Sequence, residues 1–129
     1  MLVELIHTMI RILDEERSLA FYRALGFEDR GRKRVGGDTA TVIFMGLPGD
    51  GDRLELTLSD GRTEPYEQGE AYGHIALSVA DMDAELTALA GRGIAPEKPP
   101  YASRPGGSRI CFLRDPDGYR IELVERRPA

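Results

Sequence analysis

The chain has no tryptophan, one cysteine and two histidines among its 129 residues. A single cysteine excludes an internal disulfide, and Cys111 stands within the apolar stretch ICFL, which predicts a small buried side chain in a reducing cytoplasm. No apolar run approaches the roughly 20 residues of a membrane span. The start, MLVELIH, also lacks the basic end and the cleavage site of a signal peptide. These absences predict a soluble cytoplasmic protein with no membrane partner.

A dominant positive field is also missing, because the formal net charge is −5. A nucleic-acid partner is therefore not expected, since phosphates need a basic surface. One basic cluster, RGRKR at 30–34, has acidic residues close by in the sequence, and we interpret it as a solvated strand edge or loop. The content of 41% hydrophobic and 30% charged residues is typical of one compact domain.

An internal repeat is the strongest pattern in the chain. Shifting the sequence by 67 positions places His7 on His74 and Gly26 on Gly93, without any gap. We interpret the chain as a single domain, 1–129, with one module at about 1–60, a polar linker at about 61–70 and a second module at about 71–127. The other coincidences are Asp14 with Asp81, Leu19 with Leu86, Phe27 with Ile94, Ile43 with Ile110, Gly51 with Gly118, Leu54 with Ile121, Glu55 with Glu122, and Leu56 with Leu123.

Each copy predicts the order β-α-β-β-β, with the helix on one face of its sheet. Asp14 and Asp81 are the expected helix N-caps, and Gly26 and Gly93 occupy positions typical of left-handed C-caps. The predicted strands are Val3–Leu13, Thr39–Met45 and Arg53–Ser59 in the first copy and Tyr72–Val79, Ser108–Leu113 and Tyr119–Glu125 in the second, with weaker signals at Phe27–Arg34 and Pro96–Pro99.

Strand alternation predicts a polar face opposite the helix in both copies. One face carries His7 and Glu55 in the first copy and His74 and Glu122 in the second, and each histidine precedes its glutamate by 48 residues. Two imidazoles and two carboxylates are a normal ligand set for a divalent metal. A purely structural His–Glu pair in each copy is the alternative.

Five stretches closely resemble the glyoxalase I family of the vicinal-oxygen-chelate superfamily. They are IHTMIRI (6–12), FYRALGF (21–27), LELT (54–57), AYGHIALSV (71–79) and DPDGYRIELVE (115–125). The resemblance implies an α+β fold in which two tandem βαβββ modules form half-barrel sheets with their helices on the outer face. It also implies four metal ligands, which fall on His7, Glu55, His74 and Glu122.

The activity implied by the resemblance is isomerisation of the hemithioacetal of methylglyoxal and glutathione to S-lactoylglutathione, through a metal-bound enediolate. Glu122 is then the catalytic base, and Glu55 is a ligand and a candidate for the second proton transfer. A six-coordinate site of nitrogen and oxygen ligands suits Ni²⁺ or Co²⁺ better than Zn²⁺, which remains the alternative.

The resemblance assigns the thiol co-substrate, glutathione, to three further residues. Arg11 matches a family arginine that binds a glutathione carboxylate, and Arg104 lies near a basic position of a family loop. Ser59 and Asp60 stand where the family often has asparagine and tryptophan. This departure leaves the metal ligands intact and leaves a different low-molecular-weight thiol open.

Other members of the superfamily offer alternatives. A methylmalonyl-CoA epimerase usually has glutamine at the position of Glu55, an extradiol dioxygenase uses two histidines and one glutamate, and a bleomycin-resistance binder normally lacks the ligands. Each module supplies half of the ligand set, so the modules must pair. By resemblance they pair across a homodimer, with the sites at the interface, although pairing within one chain would assemble the same residues.

Overall fold

A computed structural model of the chain describes residues 1–126. It consists of two compact units, the first ending at Tyr66 and the second beginning at Glu67. Each unit contains one helix and a four-stranded sheet of mixed direction, which confirms the predicted α+β class and the tandem modules. Position 127, the predicted end of the second module, lies outside the described residues.

The first unit has its longest strand at the edge of the sheet and its site-bearing strand in the middle. Strands β1 and β4 are parallel, whereas β4 with β3 and β3 with β2 are antiparallel, in the order β1-β4-β3-β2. The elements are β1 Thr8–Ile12, α1 Glu15–Ala24, β2 Glu28–Val35, β3 Ala40–Gly46 and β4 Leu54–Ser59.

The second unit repeats this topology with a much shorter outer strand. Its order is β5-β8-β7-β6, and again only the first pair, β5 with β8, is parallel. The elements are β5 Ile75–Val79, α2 Met82–Ala90, β6 Tyr101–Ala102, β7 Arg109–Arg114 and β8 Arg120–Glu125.

Both helices begin at the predicted aspartates. The side chain of Asp14 accepts a hydrogen bond from the backbone N–H of Arg17, and that of Asp81 accepts one from Ala84. Such caps satisfy N–H groups that have no partner within the helix. Gly26 follows α1 with a φ of 102°, the left-handed conformation that glycine adopts without strain.

The apolar side of each sheet forms the core of its unit. In the first unit Ile10, Leu56 and Ile43 are neighbours across three strands and are all buried. The same row in the second unit contains Leu123 and Cys111, both buried, beside the half-buried Leu77. Burial raises the pKa of the Cys111 thiol, as expected for the small core side chain that the sequence predicted.

Three predicted strands are wrong in their extent or position. The first begins at Thr8 rather than Val3, because its partner β4 begins at Leu54, which pairs with Thr8. Ile6, predicted to pack on the helix, is therefore 65% exposed. The strand predicted at Tyr72–Val79 begins at Ile75.

The strand predicted at Pro96–Pro99 is absent. Its two prolines have no N–H to donate, and a third proline, Pro100, follows them. The segment keeps one ladder-like bond, from the N–H of Glu97 to the carbonyl of Phe112. The outer strand β6 forms later, at Tyr101–Ala102. No helix within residues 1–126 is long and apolar enough to cross a membrane.

The repeat also needs one gap, contrary to the prediction of none. Phe44 pairs with Glu55 and Phe112 with Glu122, so β3 and β7 are offset by 68 residues while β4 and β8 are offset by 67. The connection before β8 is one residue shorter than the one before β4. Ile43 therefore corresponds to Cys111, and not to Ile110.

Candidate metal and substrate site

Each unit contains one His–Glu pair. In the first, Nδ1 of His7 lies 3.2 Å from Oε2 of Glu55, and in the second, Nε2 of His74 lies 3.4 Å from Oε1 of Glu122. The side chains of the histidines are 38% and 39% exposed, and those of the glutamates are both 16% exposed. The two units thus present nearly identical half-sites.

The local fold explains why these side chains meet. Both histidines immediately precede the first strand of their unit, and both glutamates lie in the central strand that pairs with it in parallel. In the register of the sheet Glu55 lies opposite Met9, two residues after His7, and Glu122 lies opposite Ala76, two residues after His74. Because side chains alternate along a strand, this spacing places each pair on one face.

An aromatic residue flanks each pair and was not predicted from the sequence. Phe44 and Phe112 lie opposite Glu55 and Glu122 on the neighbouring strand. The ring of Phe112 contacts the His74 ring edge-on at 5.2 Å. The one-residue gap in the repeat hid this correspondence, which an alignment allowing gaps would have detected.

The same phenylalanine also carries a cation. The guanidinium of Arg120 stacks 3.9 Å from the centre of the Phe112 ring and donates to the carboxylate of Glu97. Hydrogen bonding to Arg120 lowers the pKa of Glu97. These contacts hold a positive charge two residues before Glu122, on the same face of β8.

The donor atoms of each pair fit half of a metal site. One imidazole nitrogen and one largely buried carboxylate are placed side by side, and a carboxylate in such a position needs a compensating charge. The structure brings together the members of each pair. Larger groups, of three or more His, Cys, Asp or Glu side chains suited to a metal, are not found within residues 1–126.

Of the residues assigned to the thiol, two lie near Glu55 in the sheet. Arg11 is an exposed residue of β1 on the face of Glu55, and Ser59 ends β4 as a half-buried side chain. Arg104 belongs to the second unit, where it is exposed in the turn before β7, its carbonyl accepting from the N–H of Gly107.

Asp60, at the position of the family tryptophan, is held by an ion pair. Arg34 donates to both of its carboxylate oxygens, at 2.9 and 2.6 Å, and lowers the pKa of Asp60. The basic cluster at 30–34, interpreted as a solvated strand edge, lies in the outer strand β2, where its arginines contact acidic side chains.

A profile of the Glyoxalase/Bleomycin resistance protein/Dioxygenase superfamily matches residues 4–123. The chain belongs to this superfamily. Its full-length relatives in the superfamily include the lactoylglutathione lyase of Salmonella typhimurium, which is 37% identical over 98% of this chain and 96% of its own. Further relatives that carry this name, some as probable lactoylglutathione lyases, are 34 to 36% identical.

Solved structures of the superfamily give the same result. The trypanothione-dependent glyoxalase I of Leishmania major is 35% identical, with a TM-score of 0.78 over 95% of this chain and 86% of its own. Glyoxalase I of Zea mays gives a TM-score of 0.85 at 25% identity. This chain covers 97% of itself but only 45% of the maize protein, so it spans just under half of that length. The predicted resemblance is confirmed, and so is the prediction of an enzyme related to lactoylglutathione lyase.

Proposed function

We propose that the chain is a metal-dependent glyoxalase I that converts the hemithioacetal of methylglyoxal and glutathione to S-lactoylglutathione. One observation carries this proposal. The chain is related to lactoylglutathione lyases over its full length, and it repeats the same His–Glu pair in both units, at the positions that the family resemblance implies. We place the activity in the cytoplasm, where a lone cysteine stays reduced.

His7, Glu55, His74 and Glu122 would hold the metal. A divalent ion of this kind, when bound, stabilises negative charge that develops on substrate oxygens. The balance of two nitrogen and two oxygen donors favours Ni²⁺ or Co²⁺ over Zn²⁺, which prefers four-coordinate sites in proteins.

Glu122 is the proposed base. It takes the proton from C1 of the hemithioacetal, which carries the sulfur, and a proton is returned to C2, so that C1 becomes the thioester carbonyl and C2 the alcohol carbon. Its carboxylate is only 16% exposed, and Phe112 lies beside it, so water has little access to the proton in transit. Glu55, in the equivalent position, is the candidate partner for the second transfer.

The thiol is the part of the substrate with an alternative. Ser59 and Asp60 replace the asparagine and tryptophan often found in the family, and Asp60 is occupied by Arg34. The Leishmania relative, at 35% identity, is trypanothione-dependent. A low-molecular-weight thiol other than glutathione is therefore the second candidate, with the same proton transfer.

Reconstitution of the metal tests the activity. The purified protein is stripped with a chelator and reloaded with Ni²⁺, Co²⁺ or Zn²⁺, and thioester formation from methylglyoxal is followed with glutathione, with trypanothione and with a simple thiol. We expect turnover with Ni²⁺ or Co²⁺ and the preferred thiol. Absence of turnover with every metal and thiol would overturn the proposal.

The site is proposed to assemble across a homodimer, with His7 and Glu55 of one chain meeting His74 and Glu122 of the other. Support comes from the structure of each unit, which supplies one pair of donors and no more within residues 1–126. Solution mass should be that of a dimer. A monomeric mass with full activity would contradict this arrangement.

Complementation separates the two arrangements further. His7→Ala and His74→Ala variants are each expected to be inactive. In a dimer that shares its sites, a chain with one substitution and a chain with the other form one intact and one doubly damaged site. Random co-assembly should therefore restore about a quarter of wild-type activity, since half of the dimers are mixed. Pairing within one chain would restore none.

A further inference from the structure

Thr57 has a buried hydroxyl group without a hydrogen-bond partner. The residue is only 7% exposed, and its Oγ1 is the only unsatisfied buried side-chain polar atom within residues 1–126. Burying a hydroxyl without a partner costs free energy, so most buried hydroxyls are hydrogen-bonded. An exception of this kind calls for a partner that is not part of the chain.

The position of Thr57 relates it to the proposed site. It lies in β4 two residues after Glu55 and two before Ser59, so all three side chains are on one face. Arg11 on β1 lies directly opposite Thr57, and Val42 lies opposite it on β3. The hydroxyl thus stands between the proposed metal ligand and the residues assigned to the thiol.

The second unit shows that the fold itself does not require this hydroxyl. The equivalent of Thr57 is Val124, which follows Glu122 by two residues and pairs with Ser78 and Ile110. Valine has nearly the shape of threonine without the oxygen. A β-branched side chain is therefore sufficient for packing here, and the oxygen of Thr57 needs another explanation.

We propose that the hydroxyl of Thr57 binds the thiol part of the substrate by donating a hydrogen bond to one of its carbonyl or carboxylate oxygens. The positively charged Arg11 directly across the sheet favours an acidic, peptide-like group at this place. This inference rests on the proposed function and extends it from the metal ligands to a residue that recognises the thiol.

Thr57→Val and Thr57→Ser test the inference in opposite directions. Thr57→Val removes only the hydroxyl, and we expect KM for the hemithioacetal to rise about two- to tenfold, as for loss of one hydrogen bond, with kcat nearly unchanged. Thermal stability should stay equal or increase, because an unpaired buried hydroxyl is lost. Thr57→Ser should keep KM and lose some stability, since it removes a buried methyl group.

Binding of S-methylglutathione, measured by calorimetry, gives a readout that is independent of turnover. Its Kd should rise by the same factor in Thr57→Val and stay near the wild-type value in Thr57→Ser. Unchanged KM and Kd in Thr57→Val, with an active wild type, would overturn the role of Thr57. A wild type that neither turns over any thiol nor binds the conjugate would overturn the proposed function instead.

Discussion

The two units build the same His–Glu pair on sheets that differ at their outer edges. The outer strand has eight residues in the first unit and two in the second, whereas the strands that carry the glutamates both have six. The distances within the pairs differ by 0.2 Å, and the glutamates have equal exposure. The half-site therefore depends on the parallel strand pair and the neighbouring antiparallel strand, and it tolerates wide variation beyond them.

The cores behind the sheets also differ in chemistry. In the first unit Phe21, Tyr22 and Phe27 pack edge to face, with ring centres 5.0 and 5.8 Å apart. Leu89 and Ile94 stand at the positions equivalent to Tyr22 and Phe27, yet the same backbone bond, from Ile94 to Leu89, closes the helix in the second unit. The helix end is thus set by backbone hydrogen bonding, and the side chains that fill the space are interchangeable.

The largest expected effect comes from breaking the symmetry of the two glutamates. Glu122→Gln should lower kcat by about a thousandfold or more, because the amide cannot accept the C1 proton, while most of the metal affinity remains. Glu55→Gln should lower kcat less. Both are measured on protein reloaded with metal, with metal content determined by equilibrium dialysis. Equal losses in the two variants would show that the glutamates share the role of base.

The next effect concerns the rows of core residues. Leu56→Ala should lower the free energy of unfolding by about 2–5 kcal/mol, and Leu123→Ala should fall near the lower end of that range. Both side chains are fully buried, but Leu56 lies between the buried Ile10 and Ile43, whereas Leu123 lies beside the half-buried Leu77, where collapse into the cavity is easier. Urea denaturation followed by circular dichroism measures both. A larger loss for Leu123→Ala would contradict this ranking.

These comparisons show which features were predictable from the sequence. The order of elements, the helix caps and the facing of each His–Glu pair follow from local patterns, namely alternation, Asp before a helix and the repeat. The shift between Phe44 and Phe112 did not, because a turn can lose a residue without any change in the strands it joins. The early strand start at Val3 failed for a related reason, since strand length depends on a partner distant in sequence.

The unpaired hydroxyl of Thr57 was equally invisible to pattern analysis. Threonine is common in strands for its branched shape, and only the burial and the missing partner distinguish this one. The metal ligands stay a prediction at the level of the assembled site, because the sequence and each unit define halves of it.

A smaller effect should distinguish the two helix caps. Asp14→Ala should cost about 1 kcal/mol, because the bond from the Arg17 N–H to its carboxylate, 2.8 Å long, is lost. Asp81→Ala should cost less. The second helix has an additional acceptor, the carboxylate of Glu125, which takes the N–H of Met82 at 2.8 Å. Asp→Asn at each position retains the cap and serves as the control. Equal costs would mean that Glu125 gives no compensation.

The smallest effect separates the surface ion pairs of the two units. Arg34 contacts Asp38 and Asp60, and Arg109 contacts Asp83, and hydrogen bonds from these arginines lower the pKa of Asp60 and of Asp83. Because the pKa is lower in the folded state, the stability from each pair is fully present above the ordinary aspartate pKa, about 4, and is lost as the pH falls through the depressed value.

Arg34→Gln should therefore lower Tm by a few degrees at most at pH 7, and Arg109→Gln by less, because Arg34 has two close carboxylate partners and all of these groups are exposed to solvent. The Tm difference from wild type should shrink as the pH is lowered below about 4. Added salt should reduce it at pH 7 as well, since exposed charges are screened. A difference that persisted at low pH and high salt would assign the loss to packing of the arginine side chain rather than to its charge.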